Sequence, residues 1–129
     1  MNAAALEGVS LFRRLSAKER QKVAQWADEV SVQSGRGLAA EGAFAHEFFV
    51  IAEGSADVTR NGETIADLGP GDFFGELGLL ETDRRTATVV STSPMKLIVM
   101  FRREFRQMEQ EMPAAGNRLR AAMRARLAA

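Results

Sequence analysis

Gly71-Asp72-Phe73-Phe74-Gly75-Glu76-Leu77-Gly78-Leu79-Leu80, then Glu81-Thr82-Asp83-Arg84, then Arg85-Thr86-Ala87-Thr88-Val89, is the stretch on which the reading turns. Gly75 and Gly78 bracket Glu76 and Leu77, and glycine lets a backbone approach a ligand closely. A short turn here would aim free N–H groups outward, an arrangement that suits an anion. Glu76 stands inside an apolar run, where a carboxylate needs partners if burial is not to be costly. An ionised carboxylate only accepts hydrogen bonds, and a sugar diol donates them. Arg85 opens an apolar strand nine positions later and calls for a carboxylate or a phosphate to fork around. Two readings of these residues are open: Glu76 and Arg85 pair with each other, or together they hold an anionic ligand.

Outward from this stretch the chain divides by texture. Nine of its 11 glycines fall between Gly35 and Gly78. Short apolar or alternating runs lie among and just beyond them, at 48–52, 56–59, 64–68, 87–91 and 96–101. Such spacing predicts an all-β barrel or sandwich over 31–101. Asn61-Gly62 suits a type I′ turn and predicts a hairpin of 56–60 with 63–68. Before this region Leu11, Phe12 and Leu15 cluster, and Ser16-Ala17-Lys18-Glu19 has the form of a capping box. Val23, Trp26, Ala27 and Val30 follow at helical spacing and predict a helix over 17–29. After Phe101 the pattern predicts a helix over 102–111, broken at Met112-Pro113. A second helix follows from Pro113 with Leu119, Met123 and Leu127 as its apolar stripe. The expected architecture is mainly β with flanking helices: a β-barrel or jelly roll with an N-terminal helix and two C-terminal helices.

Composition narrows the chemistry. The 129 residues suit a single domain over 1–129, and the 46% hydrophobic share supports a core without staples. There is no cysteine and one histidine, His46, so one chain cannot assemble the usual ligand sets of catalytic zinc or iron. That sets aside an enzyme on a similar barrel, such as a cupin; no catalytic residue and no metal site is expected, and His46 is expected at the surface. The 17 basic and 17 acidic residues balance, which argues against a general nucleic-acid binder. The first residues lack a basic, apolar leader pattern, and no run approaches the roughly 18 apolar residues of a membrane span. The expected location is the cytoplasm. Arg118, Arg120, Arg124 and Arg126 on the last helix suit either a solvated, dipole-favoured helix end or a basic patch. Its apolar stripe suits a dimer seam, a lid or packing on the barrel.

The string Gly75-Glu76-Leu77-Gly78-Leu79-Leu80 with Arg85-Thr86-Ala87-Thr88-Val89 resembles the phosphate-binding cassette of cyclic-nucleotide-binding domains. These occur in catabolite activator proteins and in regulatory subunits of cAMP-dependent protein kinase. Ser10-Leu11-Phe12, Phe49-Val50-Ile51 with Gly54-Ser55, and Gly69-Pro70-Gly71-Asp72-Phe73 extend the resemblance over nearly the whole chain. It implies a cassette at 71–89 formed by Phe74, Gly75, Glu76, Leu77, Gly78, Arg85, Thr86 and Ala87. By resemblance Glu76 accepts from the ribose 2′-hydroxyl, with the Gly75 carbonyl nearby. Arg85 pairs with the cyclic phosphate, and the Gly78 and Thr86 N–H groups donate to it. Arg84 is expected at the surface. Ala52, Ile65, Ala66 and Leu68 match base-pocket positions, and plain barrel core explains them equally well. Thr86 permits cGMP without excluding cAMP; cAMP is the expected ligand, as in the bacterial members this chain resembles. The implied protein is a sensor with no cofactor, whose C-terminal helices over 102–127 act as a lid and relay occupancy. A ligand-free scaffold or dimerisation domain of the same fold is the alternative. A homodimer or protein partner would engage the C-terminal helix. No DNA-binding domain is expected within this chain.

Overall fold

A computed structural model describes residues 1–44, 46–75 and 84–128. Three N-terminal helices, α1 (Ala4–Glu7), α2 (Ser10–Arg13) and α3 (Ala17–Trp26), precede eight strands. The strands are β1 (Asp28–Val32), β2 (Gly37–Ala39), β3 (Glu47–Glu53), β4 (Ala56–Arg60), β5 (Glu63–Leu68), β6 (Phe73–Phe74), β7 (Thr88–Ser91) and β8 (Met95–Phe101). Two helices follow, α4 (Arg102–Glu111) and α5 (Pro113–Ala128).

The strands form two four-stranded antiparallel sheets, ordered β1-β8-β3-β6 and β2-β7-β4-β5. This is the expected jelly-roll architecture with flanking helices, but the two sheets stack and do not close into a barrel. Strand alternation sorts the core into two clusters. Phe49, Ile51, Ala56, Leu68, Phe74, Val89, Met95, Leu97 and Val99 fill the space between the sheets. Phe48, Val50, Phe73, Ile98 and Met100 face the other way and carry the helices. The aromatic pairs follow the same split: Phe49 stacks on Phe74 at 4.7 Å, and Phe48 tilts against Phe73 at 5.7 Å.

The Asn61-Gly62 hairpin is present, with φ of 53° and 80° at the two turn residues, as a type I′ turn requires. It makes β5 the outer strand of its sheet. Ala56 and Val58 pair with Leu68 and Ala66 and face inward, so the paired Asp57 and Asp67 between them face outward.

The capping box holds. The Glu19 N–H donates to the Ser16 hydroxyl at 3.1 Å, and the Ser16 N–H donates to the Glu19 carboxylate at 2.8 Å. The helix it starts ends at Trp26, not at residue 29. Ala27 turns extended, and residues 28–32 pair along β8 instead. Val30 therefore belongs to a strand: ladder hydrogen bonds outweigh its helical spacing.

The C-terminal helices have the expected boundary at Met112-Pro113. Leu119 and Met123 are fully buried against Leu6, Val9, Leu11, Phe12 and Leu15 of the N-terminal layer. The stripe is thus spent on the chain's own core in this conformation; the Leu127 side chain lies outside the described residues. Two arginines fasten the layer. Arg120 forks onto the Glu109 carboxylate with contacts of 2.7–2.9 Å, tying α5 to α4. Arg118 donates to Glu19, tying α5 to α3. Arg118 and Arg120 are interhelical fasteners and not members of a free basic patch. Among the described residues no helix is long and apolar enough to cross a membrane.

Candidate functional site: a buried arginine at the end of the sandwich

Arg85 lies where β6 ends and the chain returns toward β7. Its backbone is pinned from both sides: the Arg85 N–H donates to the Ala43 carbonyl at 2.7 Å, and its carbonyl accepts from Gly42 N–H at 2.9 Å. Arg84 and Phe44 form the adjoining bridge. Extended geometry at 84–85 sends the two arginines to opposite sides. Arg84 goes outward, with its guanidinium 4.0 Å above the exposed Phe44 ring and donating to the Gly42 carbonyl. Arg85 goes inward, and only 6% of its side chain is exposed. Arg84 lies at the surface, as expected, and Arg85 is the buried one of the two.

Among the described residues, three groups frame the Arg85 guanidinium. Glu47, at the start of β3, brings a carboxylate oxygen to 3.7 Å from Nη2 and keeps 35% of its side chain exposed. The Phe49 ring centre lies 5.7 Å away. Gly75 supplies bare backbone: with φ +84°, a Cβ there would lie 2.5 Å from Arg85 Nη1 and 2.8 Å from the Glu47 carbonyl oxygen. Both conformation and space therefore require glycine at 75. The turn leading to it is fixed by Asp72, which accepts from Gly69 N–H at 2.8 Å, and by paired hydrogen bonds between Ile51 and residues 71–72.

The other site residues fall as follows. Glu76, Leu77 and Gly78 lie outside the described residues. Phe74 is core, stacked on Phe49 between the sheets. Thr86 is exposed, and its carbonyl accepts from Arg60 Nε at 3.0 Å; Ala87 is half-buried. The four base-pocket positions do not share one surface. Leu68 is buried between the sheets, and Ala66 shares its inward face but is open to solvent on the outer strand. Ile65 sits at a register shift and is 48% exposed. Ala52 packs against the helical cluster on the far side of its sheet, because it alternates with Ile51. Val58, which the sequence reading passed over, packs on the inner cluster directly opposite Ala66. Glu47 was also passed over: an acid at the head of an apolar run is the same signal that picked out Glu76. His46 is exposed, as expected. Among the described residues no group of three or more potential metal ligands occurs.

Among the described residues, the arrangement is a buried cation, a bare-backbone glycine and a half-exposed carboxylate at the end of an apolar sandwich. Chemically it can hold an anion with an attached apolar group. Comparison with known proteins agrees with it. The family model described as cyclic nucleotide-binding domain matches residues 29–112. A cAMP-dependent protein kinase regulatory subunit of Mycosarcoma maydis is 37% identical over 109 residues, 78% of this chain and 21% of that protein. Among solved structures, the cAMP-bound PfPKA-R superposes with a TM-score of 0.78 at 28% identity, over 84% of this chain and 39% of that one. The Thermus thermophilus Catabolite Activator Protein superposes with a TM-score of 0.80 at 26% identity, over 91% of this chain and 57% of that one. The chain thus spans about a fifth of the curated relative. A buried arginine placed against Gly75 and a match running from β1 to the end of α4 lead to one assignment: the chain belongs to the cyclic nucleotide-binding domain family.

Proposed function

We propose that this chain is a non-catalytic sensor module, formed by residues 1–129, that binds cAMP through its 71–89 cassette. The observation that carries the proposal is the buried Arg85 guanidinium lying against the bare backbone of Gly75. A cyclic phosphate presents the planar, bidentate anion that a buried guanidinium favours. Glu47 is the charge such a phosphate would displace or share. Family resemblance adds Glu76 as acceptor for the ribose hydroxyl, and the Gly78 and Thr86 N–H groups as further donors to phosphate. Val58, Ala66, Leu68 and Ala87 then present the apolar wall for the base. That the similar PfPKA-R structure holds cAMP supports cAMP as the ligand here, and the Thr86 hydroxyl leaves cGMP as the second candidate.

Occupancy would be relayed through the C-terminal helices. In the present conformation α5 packs on the N-terminal helical layer. A ligand moves that layer only by binding two arrangements with different affinity.

Calorimetric titration with cAMP and cGMP tests the reading. Saturable binding of cAMP, weakened by several kcal/mol in Arg85→Ala, is the expected result. Silence from both nucleotides at ~100 μM, where a complex worth about 5.5 kcal/mol or more is half-saturated, refutes it. One observation favours the scaffold alternative: Glu47 already provides a carboxylate beside Arg85. The same titration decides between them.

A further inference from the structure

A second surface adjoins the cassette and shares Glu47 with it. The face of α4 turned away from the core carries Arg102, Arg103, Arg106, Gln107 and Gln110. With His46, Glu47 and Phe101 opposite, it walls a cleft of about 1090 Å³.

Three features of the cleft converge. The first is charge. Arg102 and Arg103 occupy the first turn of α4, where the helix dipole already favours anions, and Phe101 offers no side-chain cap. Arg103 and Arg106 are exposed, and neither takes part in a salt bridge among the described residues. The lining carboxylates offset this charge only in part: Glu47 is turned to Arg85, which leaves Glu104 among Arg102, Arg103 and Arg106. The second is apolar surface. Of the eight phenylalanines six are buried. The two exposed ones border this cleft: Phe101 lines it at 42% exposure, and Phe44, at 57%, stacks on the lining His46. Exposed aromatic rings gathered at one place mark a contact surface. The third is the amide pair. Gln107 and Gln110 each offer a donor and an acceptor, the complement of a peptide main chain.

We propose that this cleft docks an acidic peptide segment of a protein partner. Its carboxylates meet Arg103 and Arg106, an apolar side chain covers Phe101, and its main chain runs along Gln107 and Gln110. A nucleic acid or an anionic membrane is disfavoured, because the chain carries no net charge to draw an extended polyanion.

Fluorescence anisotropy with a short labelled peptide of repeating Glu-Glu-Leu tests this without nucleotide present. The controls are an all-glutamate peptide of equal length, a Lys-Lys-Leu repeat and a short DNA duplex. Saturable binding of the Glu-Glu-Leu peptide is expected. It should weaken about tenfold in Arg103→Gln/Arg106→Gln, the loss of two exposed ion pairs of ordinary strength. Lys22→Gln, on the exposed side of α3, should leave it unchanged. Backbone amide shifts on titration should concentrate at 46–47 and 101–110. The proposal is overturned by the absence of saturable binding, by equal binding of the all-glutamate peptide or the duplex, or by an unaltered double variant. Should the double variant not fold, shifts of the unsubstituted protein that map elsewhere overturn it equally.

Discussion

Glu47 and Arg85 meet across the end of the sandwich at 3.7 Å, a half-buried carboxylate facing a buried guanidinium. One partner keeps a third of its surface in water, so the pair belongs nearer the surface class, worth about 1 kcal/mol, than the buried class. Under the proposed function it is also the contact a phosphate competes with. Glu47→Gln should therefore lower the stability of the free protein by about 1 kcal/mol and tighten cAMP by about fivefold, the same free energy expressed in binding. Urea denaturation and calorimetry on one preparation check both signs; weaker nucleotide binding in the variant would show that Glu47 assists the ligand.

Gly75→Ala carries two independent penalties. Its φ of +84° strains any L-residue, and the added methyl meets Arg85 Nη1 and the Glu47 carbonyl oxygen. The expected cost is about 1–3 kcal/mol of stability, read from the urea midpoint. Nucleotide affinity should fall with it. A variant of unchanged midpoint would mean that the backbone at 75 relaxes freely.

The capping box has a pH signature. The Glu19 carboxyl is held below the usual carboxylate range, chiefly by the hydrogen bond from the Ser16 N–H, which outweighs the opposing effect of burial, with further help from the Arg118 guanidinium and the Ser16 hydroxyl. A depressed folded value means that the contribution is fully present above the unfolded value, roughly pH 4.3, and drains away as pH falls through the lower folded value. The melting-temperature gap between the protein and Glu19→Gln should be flat from neutral pH down to about pH 5 and should close below it. Ser16→Ala should cost about 1 kcal/mol at neutral pH.

The α4–α5 crossing is set by Gly116. A Cβ there would stand 2.9 Å from Glu109 Cγ and 3.2 Å from Glu109 Cα, so the helices touch backbone to side-chain root. Gly116→Val should push them apart and disturb the fork between Arg120 and Glu109, at about 1–3 kcal/mol. Arg120→Lys removes only the fork and should cost less than about 1 kcal/mol. Equal effects of the two substitutions would argue against a steric limit at Gly116.

Sequence pattern exposed those parts whose cause is local. The Ser16 cap, the Asn61-Gly62 turn and the Met112-Pro113 break depend on neighbouring residues, and all three stand where the pattern places them. Gly75 and Arg85 stood out because glycine permits close backbone approach and a half-buried arginine calls for an anionic partner; reading them as a phosphate cassette rested on the family resemblance. What stayed hidden depends on distant partners. Residues 28–32 form a strand because β8 lies beside them, against their helical spacing. The two sheets remain open for a similar reason: closure depends on pairing between edge strands, which alternation does not report. Ala52 missed the inner wall because alternation along β3 turns it toward the helices. Glu47 became visible as a partner of Arg85 only when the fold brought β3 beside residues 84–85.

The outward pair on the β4–β5 hairpin bears on how copies of the protein behave toward one another. Asp57 and Asp67 face each other across the hairpin, and Asp57 holds its proton to higher pH than usual because Asp67 hydrogen-bonds it and repels its charge. Like charges set directly opposite oppose folding of their own hairpin. They also place negative charge beside a strand whose outer backbone groups would otherwise recruit a strand from a neighbouring molecule. The outer strand thus trades a little cohesion within one molecule for separateness between molecules.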